Sequence, residues 1–470
     1  MEYVRSTKPR PPLPDGPWLV VGLARSGIAA ARALKARGEA VFGVDSGTPE
    51  DLSALDQAGI GYATSTPGTE HLAGVKSVVK SPGVPSGAEV ILEAEDRGLT
   101  VIGELELGWR LVESRMIAIT GTNGKTTTTE LVSHIFRNAA RPIAPAGNVG
   151  HPLCDLAPVP GSGESPPEDL TVVCECSSFQ LEDTTAFSPE VAVHLNLSPD
   201  HLDRHGDLDA YQRAKLNIFR NQVEGDVAIL NSADPALSGV EPGGEAAIVC
   251  FDPRGESDGG SAPIEDQATV DLSGGAIRVD GTPLVDVSEM RIRGPHNVAN
   301  AMAAAAASMA MGLDEAVVAD GLRTFDPVPH RFEPVARIEG VDFINDSKAT
   351  NVDATVAALG SFEGGVHLIL GGSAKGEPFD GLVGPVARSC RGIYVIGETA
   401  DEIADALGPA EVEIVRYCGD LETAVSEAGG AAVPGETVLL SPACASFDQF
   451  RDYEHRGDTF REMVRELDAG

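Results

Sequence analysis

Lysine is almost missing from this chain. There are 35 Lys+Arg against 71 Asp+Glu over 470 residues, a formal net charge of −36, and eight of the cations are lysine. With no basic stripe anywhere, recognition of a nucleic-acid backbone is disfavoured. The acidic excess suits either a solvated surface or adaptation to high salt, where screening removes the self-repulsion that such a charge creates. Cysteine is sparse too: seven residues are scattered without a C-x-x-C pair, which leaves no zinc or redox motif. Cys174 and Cys176 flank Glu175 in a strand-like run and point the same way, into a core. No apolar run is long enough to span a bilayer, and no signal sequence precedes Trp18. These absences predict a cytoplasmic protein with neither a membrane nor a nucleic-acid partner.

The chain is too long for one core, and three domains are expected. Its 53 Gly and 32 Pro fit a loop-rich α/β protein. Residues 1–16, rich in Pro and charge, predict a flexible tail. Four of the eight lysines, Lys125, Lys215, Lys348 and Lys375, fall in the motifs that follow.

Met116-Ile-Ala-Ile-Thr-Gly-Thr-Asn-Gly-Lys-Thr-Thr-Thr128 is a buried strand, a Gly-broken turn and a helix start. Such a turn aims several backbone N–H groups and the positive end of the helix dipole at one spot. Lys125 adds a mobile charge for phosphates, and the Thr126 hydroxyl can ligate Mg²⁺. Ile119 stands where the first Gly of G-x-x-x-x-G-K-[ST] belongs. The stretch is therefore either a nucleoside-triphosphate loop or a tight turn with a surface lysine.

Before it, Trp18–Gly27 is a strand followed by G-x-A-x-x-G, and a second strand, Ala40–Val44, ends in Asp45. This is a Rossmann-like opening with an acid where a ribose would bind. Val78–Pro85 adds a strand and a Gly/Pro loop placed to line the same crevice. Ligand binding and a purely structural domain both remain open here.

After it, Leu170–Glu175 is a strand that delivers Glu175 to a sheet edge, well placed for Mg²⁺. Val191–Leu197 leads into Asn196-Leu-Ser-Pro-Asp-His-Leu-Asp-Arg-His205, which concentrates Asp200, His201, Asp203 and His205. Alone, that loop suits a solvated turn as well as a metal site. Tyr211–Phe219 has helical spacing with Lys215 beside its apolar face. Residues 236–287 predict short β segments, and His296-Asn297 opens an Ala-rich helix. From Val328, strands at Val341–Asn345, Val366–Leu370, Gly392–Ile396 and Thr437–Leu440 alternate with helices and predict another doubly wound sheet. Lys348, Thr350, Lys375 and Ser446 would gather at its edge and suit a carboxylate-bearing or phosphorylated substrate.

Taken together, Thr120–Thr126, Gly147-Asn-Val-Gly150, Glu175, Asp200-His201, Lys215, His296-Asn297 and His330-Arg331 resemble the ATP-dependent Mur ligase superfamily, which also includes folylpolyglutamate synthase. Asn345-Asp-Ser-Lys-Ala-Thr-Asn351 and Ser441-Pro-Ala-Cys-Ala-Ser-Phe-Asp-Gln-Phe450 are similar to its D-glutamate-adding branch. The resemblance implies an α/β chain of three domains: a Rossmann-like substrate domain (1–113), a P-loop-type ATPase domain (114–327) and a Rossmann-like amino-acid domain (328–470). It implies that ATP phosphorylates the carboxylate of UDP-N-acetylmuramoyl-L-alanine and that the amine of D-glutamate displaces the phosphate. Lys125, His201, Lys215 and Arg331 would be catalytic. ATP would sit on Gly121, Thr122, Asn123, Gly124, Lys125, Thr126 and Thr127, with Asn297, Arg331 and Asp346. Two Mg²⁺ ions would be held by Thr126, Glu175, His201 and Lys215, the last as a carbamate. Ala24, Arg25, Ser26, Asp45, Ser46 and Asn148 would bind the UDP substrate; Lys348, Thr350, Lys375, Ser446 and Phe447 would bind D-glutamate. A monomer is expected. Two alternatives stay open: a relative acting on a non-murein carrier, and a nucleotide-binding module that has lost catalysis.

Overall fold

In the computed structural model, residues 8–49, 51–148, 150–161, 166–167, 169–254, 268–374 and 378–469 are described. Their strands form three sheets. The first holds β1 (Trp18–Val21), β2 (Val41–Val44), β3 (Gly61–Ala63), β4 (Ser77–Lys80) and β5 (Thr100–Gly103). All five are parallel in the order β3-β2-β1-β4-β5. β1 and β4 are buried along their whole length, as expected of central parallel strands covered on both faces.

The second sheet runs from β6 (Arg115–Thr120) through β7 (Ile143–Gly147), β8 (Thr171–Glu175), β9 (Val191–His194), β10 (Val227–Asn231), β11 (Ala247–Asp252), β12 (Ala268–Ser273) and β13 (Ala276–Val279) to β14 (Thr282–Asp286). Its order is β14-β13-β12-β11-β10-β9-β6-β8-β7, so β6 lies between β8 and β9. The short β segments expected after residue 236 are this sheet's far edge. Two tight hairpins fold it back, and their turn residues, Gly274-Gly275 and Asp280-Gly281, all have positive φ, the backbone that two-residue hairpins demand.

The third sheet holds β15 (Glu333–Ile338), β16 (Val341–Asn345), β17 (Val366–Gly371), β18 (Cys390–Ile396), β19 (Ile414–Gly419) and β20 (Thr437–Leu440), in the order β15-β16-β20-β17-β18-β19. The four central strands coincide with the predicted ones. The two edge strands were not legible. β15 is interrupted by Pro334 at a register shift, and β19 exposes most of its side chains, so neither carries a hydrophobic run.

These sheets fall into two compact units. One comprises Met1–Leu197, Arg204–Val287 and Asn300–Arg323; the other comprises Ser198–Asp203, Ser288–Ala299 and Thr324–Gly470. Within the first unit, the expected flexible tail is corrected from residue 8 onward. Lys8 Nζ pairs with Asp226 at 2.6 Å and donates to Ser188 Oγ at 2.7 Å. Arg10 stacks over Trp109, donates to Ser114 O at 2.9 Å and pairs with the fully buried Glu190 at 3.3 Å. Glu190 also accepts from Met116 N at 2.8 Å, at the start of β6. Buried carboxylates left without their cations would cost several kcal/mol, so the segment is a strap rather than a tail.

Candidate active site

The turn after β6 is shaped by two glycines that no other residue could replace. Gly121 has φ +153°, and Gly124 has φ +86° with a Cβ position only 2.2 Å from Asn300 Oδ1. Asn196, from the loop after β9, holds the turn. Its Oδ1 accepts from Asn123 N at 2.8 Å, its Nδ2 donates to Asn123 O at 3.0 Å, and its carbonyl accepts from Thr122 N at 3.1 Å. The helix Lys125–Asn138 begins directly after Gly124, so its first N–H groups face the turn.

Two ammonium groups converge on one carbonyl. Lys125 Nζ donates to Gly121 O at 2.9 Å and to Thr122 O at 2.8 Å, and Lys215 Nζ donates to the same Gly121 O at 2.8 Å. Lys215, expected beside an apolar helix face, is 1% exposed and lies over the Tyr211 ring at 4.5 Å. The adjacent His194 is wholly buried. Desolvation, then Lys215 and Lys125, push its pKa well down, so it is a neutral imidazole here. Two like charges held this close favour an anion beside them.

Glu175, at the end of β8, supplies oxygen. Its Oε2 accepts from Thr126 Oγ1 at 2.9 Å and its Oε1 from Asn148 Nδ2 at 2.9 Å, and it is 2% exposed. A carboxylate and a hydroxyl are hard donors that fit Mg²⁺, a metal that usually completes its shell with water and phosphate oxygens. Among the described residues no cluster of three or more His, Cys, Asp or Glu converges as a ready-made cage. His205 is not a ligand candidate: its Nε2 faces Ser178 Oγ at 2.9 Å and its ring stacks on Phe179.

The first sheet carries a cavity of about 600 Å³. All six residues expected to hold the UDP substrate, Ala24, Arg25, Ser26, Asp45, Ser46 and Asn148, line it. Asp45 shapes the wall, its Oδ2 accepting from Leu23 N at 2.6 Å and its Oδ1 from Gly47 N at 2.7 Å. The Ser81–Pro85 loop lines it as expected; Thr66, Glu89 and Gln180 line it without having been singled out.

In the second unit His201 has φ +54° and lies 3.6 Å from Asp200, which accepts from Asn351 Nδ2 at 3.3 Å. The expected metal set is therefore divided, with Thr126, Glu175 and Lys215 in one unit and His201 in the other. Asn297 is buried at the start of the helix Pro295–Ala310 and donates to Arg293 O at 2.8 Å. Asp346 is buried where β16 ends. It accepts from Ser441 Oγ at 2.9 Å and Phe332 N at 3.1 Å, and desolvation raises its pKa to about 6 despite the nearby Arg331. Lys348 lies over Tyr453 at 5.2 Å, Thr350 N bonds Lys348 O at 2.9 Å, Ser446 is 2% exposed and Phe447 is 73% exposed. Lys375 falls outside the described residues. Arg456, which sequence reasoning missed, ties both C-terminal motifs together. From within a wholly buried site it donates to Ser347 Oγ and O, Cys444 O and Ala445 O at 2.8–3.2 Å.

Comparison with known proteins accounts for this layout. Residues 119–308 match the Mur ligase middle domain, and residues 330–444 match the Mur ligase, glutamate ligase domain. The UDP-N-acetylmuramoylalanine--D-glutamate ligase of Solibacter usitatus is 40% identical over 450 residues, covering 96% of this chain and 98% of that protein. The chain belongs to that ligase family. The enzyme of the same name from Pelotomaculum thermopropionicum is likewise 40% identical over 460 residues, covering 96% and 98%. Among solved structures, UDP-N-acetylmuramate-alanine ligase MurC from Thermotoga maritima superposes with a TM-score of 0.58 at 20% identity, over 96% of this chain and 99% of that one. At that identity the likeness concerns the Mur ligase fold alone. No helix among the described residues is long and apolar enough to cross a membrane.

Proposed function

We propose that this D-glutamate ligase family member joins D-glutamate to UDP-N-acetylmuramoyl-L-alanine at the expense of ATP, a step of peptidoglycan-precursor synthesis. The observation that carries the proposal is the turn after β6, where two ammonium groups share Gly121 O beside the Thr126–Glu175 oxygen pair. That arrangement suits a triphosphate and in-line transfer of its terminal phosphoryl group.

The γ-phosphoryl group passes to the substrate carboxylate and ADP leaves. The D-glutamate amine then attacks the acyl carbon, loses a proton and expels phosphate, which leaves an amide. Lys125 leaves its two carbonyls for the phosphates, and the N–H groups of 121–127 cradle them. Magnesium would be held by Thr126 and Glu175, with His201 and a carbamylated Lys215 on a second ion, and would neutralise phosphate charge. A carbamate replaces the Lys215 cation by an anionic oxygen, which removes the repulsion from Lys125. Asn297, Arg331 and Asp346 serve the nucleotide. Ala24, Arg25, Ser26, Asp45, Ser46 and Asn148 serve the UDP substrate, and Lys348, Thr350, Lys375, Ser446 and Phe447 serve D-glutamate. We take the domains as 1–113, 114–327 and 328–470, in a cytoplasmic monomer.

Phosphate release with UDP-N-acetylmuramoyl-L-alanine and ATP across a panel of amino acids tests this. Release that requires D-glutamate is expected. Equal release with no amino acid would refute ligation, and release with a different acidic amino acid would move the specificity.

A further inference from the structure

One wall of the cavity in the first sheet is held partly by a side chain from outside that sheet. Between the end of β4 and the next helix, Ser81-Pro82-Gly83-Val84-Pro85 lines the cavity. Two of its five residues are prolines without N–H groups. Its backbone bonds are Ser81 N to Val21 O, Val84 N to Ser81 O and Ala88 N to Pro85 O, each 3.0 Å, and Ser81 Oγ donates to Gly22 O at 2.7 Å. One side chain from the central part of the unit takes the carbonyls of both Pro82 and Val84. Arg204 donates to Pro82 O at 2.8 Å and to Val84 O at 3.1 Å.

The same guanidinium reaches a second segment, one of whose residues lines the cavity. Arg204 Nη2 donates to Glu182 Oε1 at 2.7 Å, and the guanidinium lies 4.2 Å above the Phe179 ring. Phe179 belongs to the short helix Ser178–Leu181, whose Gln180 lines the cavity. Glu182 is a hub, because Ser86 Oγ and Lys80 Nζ also bond its Oε1, each at 3.2 Å. Lys80, 1% exposed, pairs in addition with Asp183 at 2.7 Å. Arg204 is thus the one group here that grips both carbonyls of the loop and a carboxylate of the helix side. A planar fork of five donors does this, and a lysine ammonium does not.

We propose that Arg204 is a positioning residue for the UDP substrate, holding the Ser81–Pro85 wall against the Ser178–Glu182 segment so that the cavity is closed to the right width before the nucleotide enters. It touches no substrate itself. The proposal rests on the reading of this cavity as the UDP-substrate site. Docking of the first sheet on the second does not depend on it. The strap from Lys8 to Arg10 and the Glu106 carboxylate, which accepts from Thr185 N, Ala186 N and Phe187 N at 2.9–3.1 Å, secure that separately. Removing Arg204 therefore loosens the wall and leaves the unit folded.

The test uses full-length Arg204→Ala and Arg204→Lys, with steady-state kinetics for each substrate and calorimetric titration of UDP. Loss of charge-assisted bonds to a preorganised wall should raise KM for the UDP substrate and the Kd for UDP together by about tenfold in R204A. KM for ATP and for D-glutamate should stay within about twofold and kcat within about threefold, since the phosphate loop is untouched. R204K should recover little of the affinity. Phe179→Leu, which removes the ring beneath the guanidinium together with its stack on His205, should shift UDP affinity in the same direction by about threefold, and it serves if R204A does not purify. Unchanged UDP affinity in folded variants, or an equal rise in KM for ATP, would overturn the positioning role. Failure of the wild-type chain to bind UDP at all would instead count against the cavity assignment.

Discussion

Two glycine turns follow central strands of this chain, and they solve different problems. The turn after β1, Gly22–Gly27, opens the helix Arg25–Ala36 onto a cavity of about 600 Å³. Its acid, Asp45, spends both oxygens on the backbone N–H groups of Leu23 and Gly47. The turn after β6 opens the helix Lys125–Asn138 and is crowded with charge: two lysines on one carbonyl, and a carboxylate, Glu175, that meets side chains rather than backbone. A helix N-terminus with a shaped wall is enough to hold a diphosphate that only has to stay in place. Moving a phosphoryl group demands mobile cations and hard oxygens as well. Under the proposed function, the same strand–glycine–helix geometry serves as a clamp in one place and a reaction centre in the other.

The sharpest way to break this comparison is Lys125→Ala. Ligation should fall by about 10³-fold, the scale of losing a principal charge stabiliser, while UDP titrations stay unchanged; retained turnover would show that the second turn is only a clamp. Gly27→Ala should do the converse. A Cβ there would lie 1.8 Å from Gly22 O and 2.7 Å from Ser81 Oγ. The forced shift should cost about 2–3 kcal/mol of stability and weaken UDP binding, with ATP binding preserved, as read by chemical denaturation and two calorimetric titrations.

Asp346 offers a third carboxylate for the same comparison. Its pKa rises from 3.8 to about 6 on burial, so its contribution to stability is full below pH 4 and is lost as pH rises through 6. Urea denaturation should therefore show Asp346→Asn gaining relative to the wild type between pH 4 and pH 7, by about 2 kcal/mol; parallel pH curves would refute it. The smallest effect is expected from Glu175→Gln, which keeps a partner for Thr126 but removes the charge. The Mg²⁺ concentration for half-maximal turnover should rise about tenfold, and an unchanged requirement would remove Glu175 from the metal site.

How legible the molecule was follows from how its chemistry is laid out along the chain. The phosphate loop could be read because its glycines, lysine and threonine are contiguous: a strand, a break and a helix N-terminus define a phosphate cradle locally. The Asn345–Asn351 and Ser441–Phe450 motifs were readable for the same reason. The residues that hold these loops in place were not. Asn196, Arg204 and Arg456 act on backbone far away in sequence, across separations of 73, 122 and 109 residues, and an isolated Asn or Arg carries no signal of a distant carbonyl. The strap was misjudged because Pro and charge ordinarily mark solvated chain, whereas here Lys8 and Arg10 meet buried carboxylates.

The scarcity of lysine shows the division most clearly. Composition alone established that lysine had been kept out of most positions, and contiguity placed four of the eight in motifs. Only the tertiary structure decided that Lys8 and Lys80 belong with them, as cations facing Asp226 and the Glu182–Asp183 pair. The sequence determined which local turns can bind phosphate, because backbone conformation is set by neighbours. The fold decided which charges are buried together, because burial and Coulomb partners are properties of segments that meet only when the chain is closed.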